Sequence, residues 1–221
     1  YHAYSCAEAL GLARPPDGKA PRAGKAAAEA LLFSALAEKV EQCEARLFVL
    51  LGILYPDSEL ELVFAGFKDA SAQDAPRRRA NALELLENVL DRSLRRRIFP
   101  LLEDLTREAR LRAAGEFFSP PPMDPSARLR DLLKDENAWV RACALFLAGE
   151  RAEPALLDAV LANLEHPSAI VREASVAALE KLMPLPELAG RLGKLKNDES
   201  PIVLTRIEAV RSAFLAVKQA G

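Results

Sequence analysis

The chain has 221 residues, a formal charge of −2 and only 6% aromatic residues, while alanine, leucine, arginine and glutamate dominate. A near-neutral, slightly acidic balance gives no general attraction to nucleic acid or to an anionic membrane. Three widely spaced cysteines, Cys6, Cys43 and Cys143, form no CxxC pair, which speaks against a disulfide framework or a zinc site and fits a reducing compartment.

Taken in chain order, residues 1–24 carry Pro15, Pro16, Gly18, Pro21 and Gly24 and, after a short helix around Ala3 to Leu10, read as a partly disordered linker. Lys25 to Tyr55 reads as one long helix. Phe33, Leu36, Val40, Cys43, Leu47, Leu50 and Leu54 alternate three and four apart along it, a heptad seam expected to lie on the first repeat, with self-association as the alternative. Its apolar stretch Leu47 to Tyr55 has nine residues, far short of the roughly 20 that span a bilayer. Pro56, Asp57 and Ser58 are expected to end this helix and cap a second one reaching Lys68. A loop follows over 69–75, then a helix from Pro76 to Leu90. Ser93 to Leu102 and Thr106 to Phe118 form the next pair, with Pro100 expected to kink the first of them.

A proline-rich break at 119–125 interrupts the array. Three further pairs follow: 125–134 with 137–150, 153–165 with 167–183, and 185–195 with 200–219. Asn137, Ser168 and Ser200 stand at N-cap positions. The chain thus reads as one repeat domain over 25–221, with about five helix pairs behind a long first helix.

An internal period supports that reading. Arg79, Arg110, Arg141 and Arg172 recur every 31 residues, and three residues after each stands a small one, Ala82, Ala113, Ala144 or Ser175. Leu102, Leu133, Leu164 and Leu195 keep the same period before the arginine helices. A fixed period of this length, carrying its core positions with it, means stacked two-helix units. The last pair leaves the frame, because Val203 takes the arginine slot and Arg206 comes three residues later.

The runs DAPRRRANALELL (74–86), DENAWVRACALFLAG (135–149) and HPSAIVREASVAALEKL (166–182) resemble the HEAT-like repeat, an acidic or polar turn followed by Val-Arg and a small-residue helix. The resemblance implies an all-α fold, an α-α superhelix or HEAT/armadillo-like solenoid. It also implies a ladder between turn aspartates and helix arginines, here Asp104 and Asp135 with Arg110, Arg141 and Arg172. His166 and Gln73 stand in two aspartate slots, with Asp74 shifted by one, and interrupt it. Residues 29–104 are also similar to the HEAT-repeat segment of large bacterial nucleotide-translocase-like or major-facilitator-like membrane proteins. That similarity implies a cytoplasmic accessory domain, tethered to a membrane through a domain outside this segment.

Catalytic chemistry finds no support. His2 and His166 are the only histidines, no serine has a histidine partner in the pattern, and no glycine-rich phosphate loop occurs. No cofactor or metal is expected. Trp139 shares its column with Ile170 and is assigned to helix packing. The expected function is a non-enzymatic interaction or coupling scaffold for a protein partner or neighbouring domains of the same chain. The alternative is an anion- or nucleic-acid-binding module using Arg77, Arg78, Arg95, Arg96 and Arg112, which lie outside the repeat frame among interleaved acids.

Overall fold

Short polar side chains stand immediately before several of these helices. The computed structural model describes residues 1–15, 23–56, 63–64, 67, 75–120, 124–195 and 198–220, and among them every regular element is helical. In order these are α1 (His2–Ala9), α2 (Gly24–Leu54), α3 (Ala75–Val89), α4 (Arg92–Leu102), α5 (Arg107–Ala113), α6 (Pro125–Leu132) and α7 (Ala138–Arg151). A 3-10 turn (Pro154–Leu156) leads into α8 (Leu157–Leu161), followed by α9 (Ala169–Leu182), α10 (Leu185–Arg191), a second 3-10 turn (Leu192–Leu195) and α11 (Pro201–Ala220). Side-chain caps explain several starts. Asp91 accepts from the N–H groups of Ser93 and Leu94, Thr106 from Ala109, Asp124 from Ala127, and Asn137 from Trp139 and Val140.

The chain gathers into two compact units. One comprises 1–8 and 38–121, the other 9–37 and 122–221. The boundary between 121 and 122 falls within the proline-rich break. Pro121 to Met123 lie outside the described residues, as do 16–22 of the expected linker, Asp57, Ser58, most of the expected helix to Lys68, and the loop from Asp69 with Gln73 and Asp74.

In the first unit, the start of the expected linker is packed. Ala3, Cys6 and Ala7, spaced as neighbours on one helical face, are buried on α1. The core gathers Phe48 and Leu51 of α2, Val63, Ala82 and Leu86 of α3, Leu90, and Ile98 and Leu102 of α4. Full burial of each such large side chain contributes about 1.5–3 kcal/mol. α5 stops at Ala113, short of the expected Phe118. Gly115 follows its cap, and Phe118 N–H donates back to the Ala114 carbonyl while Phe117 turns its ring edge to Tyr1, 5.3 Å between centroids.

The expected heptad seam of α2 does not stay buried. Leu36 is in the core, whereas Leu50 and Leu54 are 58% and 65% exposed, and Phe48 and Leu51 face inward instead. A straight α-helix drifts about 20° per heptad against a strict seven-residue repeat. Over three heptads the buried line therefore moves off the seam.

The second unit holds the cleaner repeats. α7 packs along α9, and α9 along α11. Val140, Leu145, Ala148, Val171, Val176, Leu179, Val203 and Ile207 fill their inner faces. The two helices come close at Gly149 of α7, where an added Cβ would meet the Ala178 Cα of α9 at 2.8 Å. Arg151, from the last turn of α7, reaches the Leu10 carbonyl at 3.5 Å and Glu29 of α2 at 3.4 Å, joining residues 9–37 to this unit.

Candidate interaction surface

The repeat turns of the second unit share one hydrogen-bond device. Asp135 Oδ1 accepts from the Asn137 N–H at 2.9 Å, His166 Nδ1 from Ser168 at 3.0 Å, and Asp198 Oδ1 from Ser200 at 2.9 Å. Each folds a side chain onto the backbone two residues on, an Asx-type turn that fixes where the following helix begins. Burial pushes the His166 imidazole below its usual pKa, and the Arg141 guanidinium pushes in the same direction, so the ring favours the neutral, accepting form.

Counting from these turns corrects the frame. His166 lies 31 residues after Asp135, but Asp198 lies 32 after His166, so the last repeat carries one inserted residue. Val203 then aligns with Val140 and Val171, all three fully buried, and Leu204 takes the arginine slot. Arg206 serves another purpose: its Nε donates to Glu173 at 2.8 Å and its Nη1 lies 3.6 Å from Glu180.

Immediately before each buried valine stands a large apolar residue turned outward. Trp139 is 39% exposed, Ile170 38% and Ile202 53%. Trp139 was expected in the packing. Successive residues on an α-helix lie about 100° apart, so the side that buries the valines carries their predecessors out of the interface. Exposed carboxylates stand in the turns just ahead of these residues, since Glu136 and Glu199 directly follow their turn residues and Glu165 directly precedes His166.

Three of the four repeat arginines, Arg79, Arg110 and Arg172, are spent inside the fold, whereas the Arg141 Nε is buried without a hydrogen-bond acceptor. Arg79 donates its Nε to the Leu102 carbonyl at 2.7 Å and its Nη2 to the same oxygen, with the guanidinium 5.6 Å from the Phe67 ring. Arg110 donates to the Pro100 and Glu103 carbonyls at 2.7 and 2.9 Å and sits over Tyr4 at 4.7 Å. Arg172 donates to the carbonyls of His166 and Pro167 and grips Asp198 in a two-pronged pair at 2.7 and 2.8 Å. That pair holds the Asp198 carboxyl below the usual range despite its burial. Asp135 is buried beside its turn, while Asp104 is exposed. Each of these three guanidinium groups braces a polypeptide turn, because the fixed fork of N–H donors suits several oxygens at once.

Of the arginines outside the frame, Arg95 pairs with Glu87 at 3.0 Å, Arg96 with Glu116, and Arg112 with Glu108 at 3.1 Å. Arg77 and Arg78 are exposed in the first turn of α3. The structure gathers Arg96 with Arg92 and Arg97, two residues not singled out in the sequence, around an open cleft of about 570 Å³ with Ser93, Glu116 and Phe117. Their spacing along α4 was the available signal. A second cavity of about 390 Å³ is bordered by Glu41, Glu44, Arg79 and the rings of Phe48, Phe64 and Phe67. Burial raises the Glu44 carboxyl even though Arg110 and Arg79 oppose the shift. The Arg79 guanidinium in this cavity is already committed to Leu102.

Among the described residues no three His, Cys, Asp or Glu side chains converge to hold a metal ion, and no helix is long and apolar enough to cross a membrane. A helical stack with regular polar turns, inward valines and internal arginine braces defines a class of α-solenoid repeats. Residues 126–211 match the HEAT repeats family. No curated protein and no solved structure matches the chain.

Proposed function

We propose that this protein is a non-enzymatic protein-interaction scaffold whose second unit presents the column Trp139, Ile170 and Ile202 to a partner. The observation that carries the reading is the outward placement of a large apolar side chain at one equivalent position of three consecutive repeats. Large apolar groups cost solubility when exposed together and repay it when a partner covers them. HEAT repeats in general serve as protein-interaction scaffolds, which supports the same view.

Within that reading the chain couples neighbouring domains of a larger protein in the cytoplasm. The resemblance read in residues 29–104 to segments of membrane transporter-like proteins agrees with this, and so do three cysteines that form no disulfide, one of them exposed at Cys43. The anion-binding alternative rests on the α4 cleft and is weakened by the carboxylates that already neutralise Arg95, Arg96 and Arg112.

The test is the triple variant Trp139→Ser, Ile170→Ser, Ile202→Ser in the full chain, with a photo-cross-linking residue at position 173 beside the column. Wild-type column residues are expected to yield a discrete cross-linked partner, and the triple variant to lose it while keeping its helical content and melting temperature. Unchanged cross-linking by the triple variant would remove the column from the function.

A further inference from the structure

The chemistry of the partner follows from the spacing and charge of this surface. α7, α9 and α11 pack in sequence, and packed helices lie about 8–10 Å apart, so Trp139, Ile170 and Ile202 recur at about that interval across the stack. An α-helix advances 1.5 Å per residue, so its positions i, i+7 and i+14 return to one face about 10.5 Å apart. The two intervals agree well enough for three side chains of one helix to meet three of the column.

The turns ahead of these residues set the sign of the charge. In the described residues of the three turns, the exposed charged groups are Glu136, Glu165 and Glu199 against Lys134 alone, while Asp135 and Asp198 are turned inward and Asp198 is matched by Arg172. The next positions along α9 add Glu173 and Glu180, which share the cation Arg206, with Lys181 acting on Glu180 as well. Burial raises the Glu180 carboxyl, and the neighbouring Glu173 adds to the rise against Arg206. A cation brought alongside would relieve both carboxylates.

We propose that the column Trp139, Ile170 and Ile202 receives the apolar face of a basic amphipathic helix from a partner protein, with lysine or arginine beside each apolar contact meeting Glu136, Glu165 and Glu199. The proposal rests on the scaffold reading and narrows it to one class of occupant. An acidic or a charge-free apolar helix leaves the carboxylates facing like charge or losing water without compensation.

Trp139 is the sole tryptophan of the chain, so its emission reports this surface without labelling. The full-length protein is titrated with a synthetic helix bearing leucine at every seventh position and its adjoining face, flanked by lysine. Its counterpart carries glutamate in place of lysine. The lysine helix is expected to shift Trp139 emission to the blue and to saturate. Affinity should fall about tenfold or more in Ile170→Ser with Ile202→Ser, and again in Glu136→Lys with Glu165→Lys and Glu199→Lys, which should then favour the glutamate helix. Equal or tighter binding of the glutamate helix by the wild type overturns the proposal, and so does the absence of any shift with the lysine helix. The cross-linking experiment above separates the two levels. A partner recovered at the column while the lysine helix stays silent defeats this proposal alone, and failure of both defeats the scaffold reading with it.

Discussion

Arg172 is heavily committed, with four oxygens in reach, two of them from one carboxylate. Removing one partner of a buried pair leaves the other charge stranded, so Arg172→Met is expected to cost about 3–5 kcal/mol in denaturant unfolding. The pH dependence has a definite sign. Asp198 has its folded-state pKa below the unfolded value, so its contribution is fully present above about pH 4 and is lost as the pH falls through the folded value. Asp198→Asn should therefore flatten the acid limb of the stability curve relative to wild type. An unchanged acid limb would show that the pair adds no net stability. The aspartate slot was legible in the sequence at Asp135 and obscured at Asp198, which sits one residue late. His166, with an accepting imidazole nitrogen in the same slot, shows that the turn selects an acceptor reaching the backbone two residues on rather than a negative charge.

Among the helices, α7 and α9 depend on a contact that no larger side chain can enter. Gly149→Ala gains about 1 kcal/mol of helix propensity but drives a methyl into Ala178, and such overpacking costs about 1–3 kcal/mol. The variant should be less stable than wild type by thermal melting. Ala178→Gly should not restore it, since the nearest atom is the Ala178 Cα at 2.8 Å rather than its methyl. A Gly149→Ala protein as stable as wild type would mean that the two helices separate freely. The helices themselves were readable from caps and apolar spacing. Two features were not. The outward turn of Trp139 and Ile170 was masked because a large apolar residue beside a valine reads equally well as core. The deciding signal was the invariance of the partner position, where Val140, Val171 and Val203 repeat one shape while their predecessors vary in size. The seam of α2 failed for a different reason, because seven-residue spacing marks a buried line only where a helix supercoils to follow it.

Taken whole, the molecule carries a chemical reporter in each unit. Cys6 is buried within the first unit and Cys143 within the second, while Cys43 is exposed. Thiol reactivity follows access to the thiolate, so a neutral-pH reagent is expected to modify Cys43 alone in the native protein. Cys6 and Cys143 should follow with the unfolding of their own units, and mass spectrometry of a denaturant series separates the two events. Simultaneous modification at every denaturant concentration would make the two units one cooperative body. The arginine period revealed repetition without revealing this division, because the frame passes through the proline-rich break without losing step. What separates the units is the set of long-range contacts, which a periodic column does not encode.

The inserted residue ahead of Asp198 bears on how such an array changes length. The extra position stands upstream in sequence of both the inward Val203 and its outward neighbour Ile202, and both keep the places on their helix that their counterparts hold in the earlier repeats. Repeats of this protein are therefore measured from turn to turn and not by residue count. Growth or loss of the chain between α10 and that turn leaves the outward column in register, and the surface can be inherited unchanged while the spacing beneath it drifts.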